Sequence, residues 1–178
     1  HWRFLYAGTI GVMVFVFAFA EAVRGSKRWI DLGPFQFQPS EFGKLFFVLA
    51  IAGFLVERGR RVGELGTVAT AIGLGLVPIC LVFVQPDLGT ALVYGAALTA
   101  VLFLSGVRWL HLILLGVAAL VLVTSVLWVL PAAGVEVLKP YQTARLTGFT
   151  NPDSDPGGLT YNVNQSITAI GAGGLPGR

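Results

Sequence analysis

Long apolar runs broken by short polar punctuation dominate this chain. Five runs, at residues 4–20, 42–56, 66–84, 88–106 and 110–133, reach or approach the length of a membrane span. Crossing the hydrocarbon layer takes about 20 apolar residues. A core helix of a water-soluble protein would carry a polar stripe at 3.6-residue spacing, and these runs carry almost none. The pattern therefore predicts an all-α, polytopic transmembrane helical bundle over residues 1–133. The run at 42–56 is the shortest, with Glu41 and Lys44 crowding its start, whereas the run at 110–133 is long enough to tilt. The connectors between runs are short, at residues 57–64, 85–87 and 106–108. From residue 134 the texture changes to turn formers and hydrogen-bond acceptors, as in Asn151-Pro-Asp-Ser-Asp-Pro-Gly-Gly158. Residues 134–178 read as the beginning of an extracytoplasmic loop, with a short amphipathic helix at 161–170 and a glycine-rich loop at 171–177.

Composition supports this reading and removes several function classes. Mean hydropathy is +0.78 and only 12% of residues are charged, which is the profile of a membrane protein. The net charge of +3 is spread out and forms no basic stripe, so nucleic acid is not an expected partner. Cys80 stands alone within an apolar run, so there is no disulfide framework. His1 and His111 have no Cys or His at ligand spacing, and no metal site is expected from them. No small-residue cleavage site follows the first run, where Glu21 and Arg24 stand instead. The chain starts beside a span and stops at Gly-Arg178, and reads as a piece of something longer.

The charges that remain are concentrated. Insertion scales put a charge at mid-bilayer at roughly +2.5 to +3.5 kcal/mol. Charges kept beside spans are therefore candidates for function. They fall in Arg24-Gly-Ser-Lys-Arg-Trp-Ile-Asp31, Gln38-Pro-Ser-Glu-Phe-Gly-Lys44 and Gln85-Pro-Asp-Leu-Gly-Thr90. If Arg58–Arg61 face the cytoplasm, alternation puts all three segments and the tail on the outer side. Lys and Arg then number five inside and six outside, leaving Lys44 aside, so the positive-inside rule alone does not choose. Cations held on the outer side suit an anionic headgroup such as a phosphate or pyrophosphate; interfacial snorkelling is the plainer account of each.

Within these segments Ser40 is a candidate N-cap after Pro39, and Glu41 and Lys44 share a helical face. They could form a self-neutralising surface pair, or Lys44 could point into a cleft tuned by Glu41 and Ser40. Trp29 could anchor at the interface or stack on a sugar. Asp87 could coordinate a cation, accept a proton or cap the next helix. Tyr6, Tyr94, Trp109 and Trp128 read as packing or interface residues. Gly171-Ala-Gly-Gly174 lacks the strand and the Gly-Lys-Ser/Thr of a phosphate loop, and Asn164-Gln-Ser166 is a short, unspecific glycosylation pattern.

Taken in order, Lys27-Arg-Trp-Ile-Asp-Leu-Gly33, Phe37-Gln-Pro-Ser-Glu-Phe-Gly-Lys44, Gln85-Pro-Asp-Leu-Gly-Thr90, Phe103-Leu-Ser-Gly106 and Pro140-Tyr-Gln142 resemble the SEDS family. These are the shape, elongation, division and sporulation proteins. Asp153-Ser-Asp-Pro156, Tyr161, Gln165-Ser166 and Ala169-Ile-Gly-Ala-Gly-Gly174 continue the resemblance over nearly the whole chain, with a slight lean toward RodA-like members. The resemblance implies a ten-span enzyme of the bacterial cytoplasmic membrane, of which about five spans are present here. It implies polymerisation of lipid II into peptidoglycan glycan strands beside a class B penicillin-binding protein.

Carried over residue by residue, Arg28 and Lys44 would face the pyrophosphate, Trp29 would shape the cleft wall, and Asp87 would contribute to the cleft. Tyr141, Arg145 and Gln165 would belong to the outer loop. The chemistry would be glycosyl transfer, with a carboxylate as base and cations or a divalent metal ion at the leaving pyrophosphate. The family's catalytic acidic segment is expected beyond Arg178, so this chain by itself is expected to be inactive. Two other readings use the same features, a lipid II flippase and a non-catalytic scaffold for the transpeptidase. Few ionisable residues lie near mid-span, which favours catalysis or binding over transport.

Overall fold

The structure, a computed structural model, describes residues 1–19, 30–31, 36–85, 87–135, 137–138, 161–174 and 177. Its regular elements are helices apart from one two-residue antiparallel ladder. They run α1 (Trp2–Phe19), β1 (Ile30–Asp31), β2 (Gln36–Phe37), α2 (Pro39–Arg58), α3 (Leu65–Val84), α4 (Leu88–Leu104), α5 (Trp109–Thr124), α6 (Leu130–Ala132) and α7 (Tyr161–Gly173). The ladder pairs Ile30 with Phe37 and Asp31 with Gln36, and delivers the chain to Gln38 at the head of α2. Arg28, Trp29, Tyr141 and Arg145 lie outside the described residues.

Two compact units divide the chain, His1–Val117 and Ala118–Arg178. In the first, α2 packs against α1, α3 and α4, and α3 packs against α4. Phe47, Ile51 and Phe54 of α2 meet Met13 of α1, Val68, Ala71 and Val82 of α3, and Tyr94, Leu98 and Leu102 of α4 in one core. Small residues let these helices approach where apolar lipid gives packing no hydrophobic advantage. At Gly75 a Cβ would stand 2.5 Å from Leu98 Cδ2, a side chain itself buried.

The outward faces are apolar. Phe4 and Val56 are 80% exposed, and Leu104 is 81% exposed. Continuous apolar surface of this kind marks a membrane-facing protein. Leu65–Val84 and Trp109–Ala132 are long and apolar enough to cross a bilayer.

Each predicted run becomes a helix, with informative differences at the ends. The α2 helix runs from Pro39 to Arg58 because its polar first and last turns continue the backbone pattern beyond the apolar residues. Gln38, not Ser40, is its N-cap, and Pro39 takes the first helical position, where a missing N–H costs nothing. Ser40 sits buried inside the first turn. The last long run does not stay α-helical: Ser125–Val129 is a π turn between α5 and α6. Pro131 accounts for it, since its ring would crowd the carbonyl four residues back and it has no N–H to donate. The second unit's α7 continues through Gly171, where a glycine loop was expected, to Gly173; it ends with the Gly174 N–H donating to the Ile170 carbonyl at 3.0 Å. Glycine costs a helix only about 1 kcal/mol relative to alanine, too little to stop a helix already propagating.

A second proline shows how the bundle repairs its own backbone. Pro78 lies buried inside α3 and cannot donate to the Leu74 carbonyl. In a bilayer that orphan must find a partner within the protein. The Tyr6 hydroxyl of α1 donates to the Leu74 carbonyl at 2.8 Å. Tyr6→Phe is expected to cost about 1 kcal/mol in thermal or denaturant unfolding. In a Pro78→Ala background, where the backbone N–H returns, that cost should largely vanish. Equal Tyr6→Phe effects in both backgrounds would rule out the repair role.

Candidate functional site

The second and third polar segments of the sequence meet at the end of the first unit formed by the start of α2, the end of α3 and the start of α4. The α3 helix ends at Gln85, whose buried side-chain amide donates to the Met13 carbonyl of α1 at 3.2 Å. That bond fixes the chain reversal into Asp87. Asp87 has non-helical backbone angles and caps α4, its Oδ1 accepting the Thr90 N–H at 3.2 Å. Its other oxygen, Oδ2, accepts from the Gln38 side-chain amide at 3.2 Å. Of the roles open to Asp87 in the sequence, helix capping is the one the geometry displays. The bond from Gln38 adds something no local pattern announces, a direct tie between the second and third polar segments.

A second tie lies one turn deeper. Tyr94, fully buried, donates its hydroxyl to the Ser40 carbonyl at 3.1 Å, and its ring lies 5.0 Å from that of Phe47. Gly43 makes this approach possible, since a Cβ there would stand 2.6 Å from the Tyr94 oxygen and 3.1 Å from Met13 Cε. Gln38 and Ser40 thus fasten the first turn of α2 to both ends of the Asp87–Tyr94 stretch. The sequence by itself marks Tyr94 as a packing or interface residue. The available signal was its heptad spacing from Asp87, which puts both on one face of α4 with buried Ala91 between them.

On the turn so fastened, Lys44 Nζ donates to Glu41 Oε1 at 2.7 Å. The Lys44 side chain is 25% exposed and that of Glu41 is 51% exposed. This is the surface-pair geometry, at a position where exposure keeps the pair weak. Its worth is about 0–1 kcal/mol, so a more strongly charged anion could take Lys44 from Glu41. Gln165 lies exposed on α7 in the other unit. Among the described residues no group of three or more His, Cys, Asp and Glu could hold a metal ion. The oxygens of Asp87 and Glu41 that face this site receive protein donors. The described residues therefore do not fit a divalent-cation site.

Comparison with known proteins gives the family to which this chain is similar. The family described as cell cycle protein FtsW/RodA/SpoVE matches residues 1–178. The peptidoglycan glycosyltransferase MrdB of Escherichia coli K12 is 37% identical over 175 residues, covering 98% of this chain and 45% of the relative. A probable peptidoglycan glycosyltransferase FtsW of Aeromonas salmonicida is 38% identical over 167 residues, covering 91% of this chain and 39% of the relative. Among solved structures, a chain of a peptidoglycan synthase complex that coordinates polymerization and crosslinking superposes with a TM-score of 0.73 at 36% identity. It covers 99% of this chain and 50% of that one. The rod shape determining protein RodA of Thermus thermophilus gives a TM-score of 0.56 at 37% identity, covering 67% of this chain and 39% of that one. The chain spans less than half the length of the curated relatives it matches.

Proposed function

Because this chain belongs to the FtsW/RodA/SpoVE family of cell cycle proteins, the SEDS proteins, we propose that the whole protein polymerises lipid II into peptidoglycan glycan strands. The reaction takes place at the outer face of the bacterial cytoplasmic membrane, in a multi-pass protein to which this chain contributes five spans. Its partner is a class B penicillin-binding protein that cross-links the product. The observation that carries this reading is the bond from Gln38 to Asp87. It gathers two polar segments of a lipid-embedded chain at one end of the bundle and presents Lys44 there.

In this reading Lys44 leaves Glu41 for the pyrophosphate of undecaprenyl-linked substrate. A preorganised cation aimed at the charge that develops on a leaving group acts where it lowers the barrier most. Glu41 holds the lysine in place between turnovers, and Arg28 and Trp29 complete the cleft. Tyr141, Arg145 and Gln165 belong to the outer loop. The base that takes the proton from the acceptor 4-hydroxyl is an acidic residue of the family outside this chain.

The test is polymerisation of purified lipid II by the whole protein reconstituted with its transpeptidase. Lys44→Ala is expected to lower the rate about 100-fold. The thermal midpoint should stay within about 2 °C, because a half-exposed pair stabilises little. An unchanged rate would remove Lys44 from the site. Movement of labelled lipid II across the bilayer without polymer would instead favour a flippase.

A further inference from the structure

The opposite end of the first unit carries chemistry that the proposed reaction leaves unused. There the start of α1, the end of α2 and the start of α5 bring together Arg3, Arg58, Arg60, Arg61 and Arg108, all exposed. Among the described residues none of the five has a carboxylate within ion-pair distance; the ion pair observed is that of Lys44 and Glu41. Two are held in place by aromatic rings. The Arg3 guanidinium lies 5.5 Å from the Trp2 ring centre and that of Arg58 lies 4.9 Å from the Phe54 ring centre. The two rings meet edge to face at 5.2 Å. The result is a row running cation, ring, ring, cation across the seam between α1 and α2.

Directly beside this row the same seam opens into a groove of about 430 Å³. Leu5, Leu49, Gly53 and Val56 give it an apolar lining, completed by His1, Trp2 and Glu57. Glu57 is the one acidic group in the lining, and the Trp2 indole N–H donates to its Oε2. The carboxylate is thereby turned to the tryptophan, while the guanidiniums of Arg3 and Arg58 stand over the Trp2 and Phe54 rings at the same seam.

We propose that this seam binds one anionic phospholipid, its headgroup on the row that Arg3 and Arg58 terminate and an acyl chain in the groove. Charge selects the occupant, because unpaired arginines at a membrane surface attract an acidic headgroup and a zwitterionic one offers no net charge. Arginine suits the task, since its fork donates two parallel hydrogen bonds to a phosphate while its plane stays stacked on a ring. The apolar groove adds what a diffuse basic patch lacks, a place for the chain.

The test is lipid retention by the whole protein in phosphatidylcholine nanodiscs with and without phosphatidylglycerol, read by native mass spectrometry. Retained phosphatidylglycerol is expected to fall about tenfold in Arg3→Gln/Arg58→Gln. Arg60→Gln/Arg61→Gln, which removes the same charge from the neighbouring turn, should lose clearly less. Leu49→Trp, which fills the groove and leaves every arginine, should also release the lipid. Equal losses in the two arginine pairs would make the effect one of net charge and overturn the site. Retention unaltered by Leu49→Trp, or equal retention of phosphatidylcholine, would overturn it as well. All these substitutions are at exposed or partly exposed positions, and the thermal midpoint of each variant checks that it is folded.

Discussion

Gly43→Ala is expected to be among the most damaging single-methyl changes in this chain. The added Cβ would stand 2.6 Å from the Tyr94 oxygen and 3.1 Å from Met13 Cε. Tyr94 is fully buried and set against Phe47, so it cannot retreat without moving α4. Overpacking of this sort costs about 1–3 kcal/mol. Loss of the bond from Tyr94 to Ser40 adds about 1 kcal/mol. The catalytic effect should exceed the stability effect, because the first turn of α2 is what holds Lys44. A displacement of about 1 Å at a reacting group can cost roughly 100-fold in rate. Thermal unfolding and lipid II polymerisation measured on the same preparation would separate the two. Adding Tyr94→Phe to Gly43→Ala should recover part of both, since the clashing oxygen is gone. A Gly43→Ala protein with native rate would mean that the α2 turn does not need this seat.

Asp87→Ala should come next in severity. It strips the cap from α4, worth about 1 kcal/mol, and leaves the Gln38 amide without its acceptor at a part-buried position, worth about 1–3 kcal/mol. Asp87→Asn is the informative partner. Its amide oxygen can still accept the Thr90 N–H, and the Gln38 amide can turn to offer its own oxygen to the new NH₂. If Asp87 acts by tying the segments together, the asparagine protein should unfold near the native midpoint and keep its rate within about tenfold, while the alanine protein falls about 100-fold. A fall as deep in Asp87→Asn as in Asp87→Ala would show that the negative charge itself is required.

Much of this architecture is legible in the order of residues because burial in lipid demands it. Apolar length alone located the five long helices α1 to α5. It underestimated α2, because hydropathy stops at Glu41 and Glu57 whereas backbone hydrogen bonding continues to Arg58. It could not foresee the π turn at Ser125–Val129, where the cause is one proline acting on carbonyls a turn away. The candidate site was half legible. Lys44 with Glu41, and Asp87 as a cap, follow from spacing within a helix. The bonds from Gln38 to Asp87 and from Tyr94 to Ser40 join residues 49 and 54 positions apart. No periodicity within one element encodes such a distance, only the packing of α2 on α4. The glycine that admits Tyr94 looks like any other glycine until the neighbouring helix is in place.

The repaired carbonyl of α3 bears on how such a protein is made. A nascent chain enters the membrane helix by helix, and α3 arrives carrying a backbone oxygen that its own segment cannot satisfy. Its partner, Tyr6, belongs to a helix synthesised about seventy residues earlier, with α2 emerging between them. Until α1 swings alongside, that oxygen faces hydrocarbon or draws water after it, so docking of α1 on α3 is rewarded before α4 is complete. Biogenesis would then have a checkpoint written into one proline and one phenol. A Tyr6→Phe chain should linger at the translocon or be taken by membrane quality-control proteases more than its equilibrium stability explains.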